Sequence, residues 1–209
     1  MGTTKDPSSK ISTRDKILTA ASDLFSRQGY SAVSIRNISR QVDIRESSFY
    51  NHFQSKEDLL DEIFNIFESQ FAELRPNKDI ILETLEATGP ETYLWEAHRR
   101  FVEFWDTPLR RRAKLIVFQE QFRNTRAVGL ITQFTQLFVD AQETVFLFLA
   151  EKNVIKNADP ALLSRSYGYA LMAMLHEYDL LKGSGRSTYD IVNAIFNHIR
   201  FFLQTVRST

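Results

Sequence analysis

The sequence contains no cysteine. A disulfide framework, a thiol nucleophile and a Cys-ligated zinc or iron–sulfur site are therefore excluded. Glycine is scarce, at seven residues, and neither a Gly-rich phosphate loop nor a Gly-x-Ser-x-Gly elbow occurs. The four histidines, His52, His98, His176 and His198, are scattered. No His-Glu-x-x-His or Glu-x-x-His pairing exists, so zinc-protease and di-iron bundle sites lack their ligands. These absences speak against an enzyme and against a metal or other cofactor. No apolar run reaches the roughly 18 residues of a membrane span. Met1–Ser12 is polar and lacks the apolar stretch of a signal peptide. A soluble, cytoplasmic protein without a membrane partner is the expectation. Neither sign of charge is in excess, with 26 basic and 26 acidic residues. Over residues 1–60 nine basic residues face seven acidic ones. Any contact with nucleic acid must then be a local patch, reinforced by a second subunit.

What is abundant is phenylalanine, 17 residues, most of them beyond residue 60. The apolar residues recur at three- and four-residue steps nearly throughout, and no Asn-Gly or Asp-Gly hairpin signal appears. The chain reads as all-α. Ser12 with Asp15 has capping-box spacing and opens a helix that ends at Gly29. Ser34 opens a second helix through Ile35, Ile38 and Val42, interrupted at Asp43. A third runs from about 45 to 53 with Phe49 and Phe53 inward. A fourth covers 55–75, from the Ser55/Asp58 box to a stop at Pro76. Further helices are read at about 79–87, 91–106, 109–124 and 130–152, then 160–182 after the Asp159-Pro160 start signal, and 188–205. Gly129 falls at a junction. The expected organisation is a flexible N-terminus, 1–11, a helix-turn-helix domain, 12–56, and a helical regulatory and dimerisation domain, 57–209.

The stretch that carries chemistry is Ser34–Lys56, SIRNISRQVDIRESSFYNHFQSK. A helix of about eight residues, a tight turn and a second short helix form a helix-turn-helix, whose second helix is shaped for the major groove. Phe49 and Phe53 are core residues first. The outward residues, Arg45, Glu46, Ser47, Ser48 and Asn51, are polar. Short polar side chains let the backbone approach base edges.

Residues 14–64 resemble the N-terminal domain of the TetR family of bacterial regulators. The resemblance rests on an ordered series: Leu24-Phe25 with Gly29-Tyr30, Ser34-Ile35-Arg36-Asn37-Ile38, Phe49-Tyr50-Asn51-His52-Phe53 and Ser55-Lys56-Glu57-Asp58-Leu59-Leu60. It implies that Ser34, Arg36, Tyr50, His52 and Lys56 meet phosphates. It implies that Ser47 and Ser48, with Arg45 and Asn51, read bases, since phosphate contacts set register and base contacts set sequence. Ser34 is equally an N-cap, while Tyr50 and Lys56 taken alone would read as surface residues. Three positions depart from the pattern. Asp43 stands where glycine is usual at the turn, and Asp tolerates left-handed backbone better than most residues. Arg45 replaces a capping serine. Glu46 brings a negative charge near phosphate.

Residues 76–209 hold no motif that names a ligand. By the same resemblance, helices near 160–182 and 188–205 form a homodimer interface, with Leu171, Met174, Leu175, Tyr178, Ile195, Phe196, Ile199 and Phe202 as its apolar candidates. An intramolecular core explains each of them equally well. A pocket between the middle helices would be lined by Tyr93, Trp95, His98, Phe101, Phe104, Trp105, Phe118, Phe122, Phe134, Phe138 and His176, for an apolar or aromatic small molecule. Gln119 and Glu120 are further polar groups on apolar stretches. Each aromatic is more readily core than ligand contact. Arg110-Arg111-Arg112 reads as a solvated run. The function expected is a ligand-responsive regulator, a repressor by resemblance, binding double-stranded DNA at a palindromic operator. The alternatives are a dimer that binds DNA without a ligand, and a helical small-molecule-binding or partner-recruiting dimer with weak or no DNA binding.

Overall fold

The computed structural model describes residues 11–74, 77–155 and 159–207. The expected stop at Pro76, and all but the last residue of the expected flexible N-terminus, lie outside these. Ten α-helices are described: α1 Thr13–Gln28, α2 Ile35–Val42, α3 Glu46–Phe49, α4 Lys56–Glu73, α5 Lys78–Thr88, α6 Pro90–Trp105, α7 Pro108–Glu120, α8 Thr125–Glu151, α9 Pro160–Gly183 and α10 Tyr189–Val206. Extended pairing among the described residues is limited to one isolated bridge, Ile155 with Arg207. None of these helices is long and apolar enough to cross a membrane.

The residues divide into two units, and the division differs from the one read in the sequence. The first unit joins the described residues as far as Gln70 with Thr107–Leu130; the second holds Phe71–Asp106 and residues from Ile131 onward. Thr107–Leu130 was expected in the regulatory domain. It joins the first unit because α7 packs on α1. Arg112 pairs with Asp23 at 2.9 Å, and Gln119 donates to the Ser26 carbonyl at 3.1 Å. The arginine run is thus not simply solvated.

In the first unit α1 is capped as expected, with Ser12 Oγ accepting from the Asp15 amide at 3.1 Å. Its inward stripe is Ile17, Ala21, Leu24 and Phe25, all buried. Gly29, at φ 81°, ends it in a conformation that L side chains rarely adopt. A 3-10 turn, Tyr30–Ala32, leads to α2. Ile38, Phe49, Phe53 and Leu59 are buried at 2% exposure or less and close this small core. Full burial of a side chain of this size contributes about 1.5–3 kcal/mol. The third helix is shorter than expected, because residues 50–52 form turns instead of continuing it. Gly129 lies inside α8, not at a junction, since that helix starts at Thr125 with Asn124 Oδ1 accepting from Arg126 and Ala127. Arg126 then ties the start of α8 to α4 through Asp61, Asn65 and Glu68.

The second unit is built on five inward stripes. Leu94, His98 and Trp105 lie on α6, and Phe134, Phe138, Gln142, Val145 and Leu149 on α8. Tyr167, Leu171 and Leu175 on α9, Ile191, Ile195 and Ile199 on α10, and Ile81 and Leu85 on α5 complete the core. Of the apolar candidates for a dimer face, Leu171, Leu175, Ile195 and Ile199 belong to the intramolecular core, the alternative reading of each. Met174, Tyr178, Phe196 and Phe202 are half-buried. The exposed apolar side chains of α9 and α10 are Leu162, Tyr169, Leu180, Tyr189 and Phe201.

This core contains an aromatic and imidazole cluster. The His98 ring lies 5.9 Å from Phe138 and 5.9 Å from Tyr167, and Tyr167 stacks on His198 at 5.4 Å. Burial is the main cause that lowers the His98 pKa to about 4, and burial likewise lowers that of His198. The unfolded chain takes up a proton at His98 near the ordinary value of about 6.5, while the fold resists it until about 4. The resulting stability is complete above about pH 6.5 and is lost as pH falls toward 4. It corresponds to about 3 kcal/mol. The unfolding free energy of the wild type should therefore fall relative to that of a His98→Leu variant as pH falls from 7 to 4. Parallel curves in chemical denaturation would contradict this placement of His98.

Candidate nucleic-acid interface and ligand cavity

The turn between α2 and α3 is set by a single backbone position. Asp43 adopts φ 59° and ψ 50°, the left-handed region. Its amide donates to the Arg40 carbonyl at 3.3 Å, and the Ile44 amide reaches back to the Ser39 carbonyl at 3.0 Å. This pair of bonds is a Schellman motif, which normally recruits glycine. The departure seen in the sequence is thus accommodated, at a cost on the order of 1 kcal/mol relative to glycine. The second departure has the effect expected: Arg45 occupies the N-cap of α3 and makes no side-chain capping bond. The α3 amides are left for water or for another acceptor.

Phe49 is fully buried and hangs α3 on the core, while Glu46 and Ser47 are exposed and Ser48 is half-buried. Arg36, Arg45, Asn51 and His52 are exposed, and Tyr50 is 56% exposed, edge-on to Phe49. Besides Glu46, seven residues of the expected interface thus remain accessible in the first unit. Ser34 is exposed but engaged. Its Oγ accepts from the Asn37 amide at 3.2 Å, and Asn37 Oδ1 accepts from the Ser34 amide at 2.9 Å. The hydroxyl therefore serves as an N-cap.

Lys56 differs most from its expectation as a free phosphate contact. Its ammonium donates to the Tyr30 and Val33 carbonyls, at 3.1 and 2.9 Å, and sits 4.1 Å from the centre of the Tyr30 ring. Tyr30 in turn donates from its phenol to Glu57 at 2.8 Å. Burial and that bond push the Tyr30 phenol up, and the same bond lowers the Glu57 carboxyl. Lys56 thus closes the turn that leads into α2. Both halves of this clamp were visible, as Gly29-Tyr30 and Ser55-Lys56-Glu57. A separation of 26 residues hid their contact.

Among the cavities of the second unit, two have a volume of about 330 Å³ each. Of the residues expected to line a pocket, Tyr93, His98, Phe101, Phe104, Phe134 and Phe138 line the first. Trp95 lines the second, with His98 between the two. Trp105 is 2% exposed and packs against Phe101, Phe104 and Phe134 as core. Phe118 and Phe122 belong to the first unit, and Phe122 is 88% exposed. His176 is exposed on α9 and borders neither cavity. Gln119 and Glu120 likewise belong to the first unit. Missed in the sequence was Gln142, 7% exposed on the wall of the first cavity. Its signal was its position four residues after Phe138 on an otherwise apolar stripe. Among the described residues no group of three or more His, Asp or Glu is placed to hold a metal.

Residues 17–63 match the family model described as "Bacterial regulatory proteins, tetR family". The chain is similar to the transcriptional regulator QacR of Staphylococcus aureus, 28% identical over 64% of this chain and 68% of that protein. It is similar to the transcriptional repressor KstR2 of Mycolicibacterium smegmatis, 30% identical over 55% of this chain and 52% of that protein. In structure it resembles NalD of Pseudomonas aeruginosa, the secondary repressor of the MexAB-OprM multidrug efflux pump, with a TM-score of 0.61 at 24% identity over 93% of this chain and 95% of that one. The helix-turn-helix held by Phe49, the left-handed turn at Asp43 and this match together make residues 17–63 a domain like the N-terminal domain of the TetR family of bacterial regulatory proteins.

Proposed function

We propose that this chain is a ligand-responsive repressor that binds a palindromic operator as a homodimer. The observation that carries the reading is α3 itself: a short helix anchored by a buried Phe49 that leaves Arg45, Glu46, Ser47 and Asn51 open. Two such helices, one per subunit, suit successive major grooves about 34 Å apart. Ser47 and Asn51 are suited to base edges, and Arg36 and Tyr50 to phosphates. Lys56 acts by holding the turn before α2. The cavities favour this reading over a dimer without a ligand, whose pocket would be filled by its own aromatic rings. The ligand must prefer the conformation that does not bind DNA; otherwise it shifts nothing.

The dimer face proposed here is the exposed stripe of α9 carrying Leu162, Tyr169 and Leu180, with Phe201 of α10. Burying these side chains against a two-fold copy explains apolar residues at more than half exposure. A Tyr169→Asp, Leu180→Asp double variant should sediment as a folded monomer where the wild type is a dimer. A dimer that survives both changes would refute this face.

Selection from random duplex DNA tests the main reading. An inverted repeat should emerge, with affinity falling steeply as salt rises. Arg36→Ala should weaken all sequences alike and reduce the salt slope by about two, one for each subunit. Ser47→Ala should change the base preferred within each half-site. Absence of enrichment at low salt from a folded dimer would favour the small-molecule-binding alternative.

A further inference from the structure

The first cavity is walled by aromatic rings, Tyr93, Phe101, Phe104, Phe134 and Phe138, and its polar groups are few. Two residues that line it carry a buried acceptor, and one of them, His98, lines the second cavity as well. His98 is 3% exposed, and its Nδ1 is bonded to the Leu94 carbonyl. A carbonyl only accepts, so Nδ1 carries the proton. The imidazole is neutral at ordinary pH, since burial lowers its pKa to about 4. Nε2 is then a bare lone pair, and it has no partner. Gln142 Oε1, on the same cavity, is likewise buried and without a partner. A buried acceptor left unpaired destabilises the protein, a penalty that a bound donor removes.

Charge narrows the choice further. Among the described residues no carboxylate lines this cavity, so a cation finds no counter-charge. Arg100 borders it but is exposed to water, and the two orphan acceptors oppose an anion. We propose that the first cavity takes a neutral aromatic molecule bearing a hydroxyl or N–H group that donates to His98 Nε2, with the Gln142 carbonyl as a second acceptor. This assignment rests on the ligand-responsive reading and gives that ligand a chemical class.

Four probes of one ring system test it: 1-naphthol, naphthalene, 2-naphthoate and a trimethylammonium naphthalene. Binding is followed by titration calorimetry, and in parallel by release of a labelled operator duplex. On the wild-type protein 1-naphthol should bind about tenfold tighter than naphthalene, although naphthalene is the more apolar. The two charged probes should bind no better than naphthalene. In His98→Leu the preference for naphthol should vanish. The wild-type comparison needs no variant and does not depend on how well one folds. Equal binding of naphthol and naphthalene, a charged probe binding best, a preference that survives His98→Leu, or no binding by any probe would each overturn the assignment. Naphthol binding with its preference intact but no DNA release would uphold the assignment and overturn the ligand-responsive reading. DNA release by naphthol and naphthalene alike would do the reverse.

Discussion

The helix-turn-helix depends on one backbone conformation, the left-handed turn at Asp43. It directs α3 away from the line of α2, and the Ile44 amide bond to Ser39 fixes that direction. The cost of a side chain in this region is on the order of 1 kcal/mol. Burial of Ile38 and Phe49, on either side of the turn, offsets it. Glycine would relieve the strain but widen the conformations open to the unfolded chain, so the two residues differ less than sterics alone suggest. The Lys56 ammonium, bonded to two carbonyls of the preceding turn, fixes the other end of α2.

Much of this unit was legible because its signals are local. Ser12 with Asp15, Gly29, Ser34 and Asp43 each act within a few residues, and each has the backbone role its chemistry implied. Phe49 and Phe53 were identified as core by three- and four-residue spacing, and both are buried. What was not legible is non-local. Nothing in the spacing of Arg112 or Gln119 says that α7 packs on α1. Phe118 and Phe122 were therefore assigned to a pocket in the wrong unit. Leu171 and Ile199 have the pattern of any buried helix face. Periodicity cannot tell a core that faces its own chain from one that faces a partner.

The second unit shows why an aromatic-rich segment resists sequence reading. Trp105 and Phe134 both sit on apolar stripes, yet Trp105 is packed away while Phe134 borders a cavity. The polar positions were more informative than the rings. His98 and Gln142 interrupt their stripes at helical spacing, and both are buried with an atom that has no partner. A core that keeps such groups forgoes stability, and a cavity beside them gives that loss a use. The same burial makes His98 a neutral acceptor across ordinary pH. On the proposed reading, recognition at this site rests on hydrogen-bond direction and ring packing.

Two α3 helices entering successive major grooves are the core of this account, and hydroxyl-radical footprinting on a selected operator tests it most directly. The expected pattern is two protected segments on one face of the duplex, centred about 34 Å apart and related by two-fold symmetry. A continuous footprint without symmetry, or protection of a single half-site by a dimer, would contradict it.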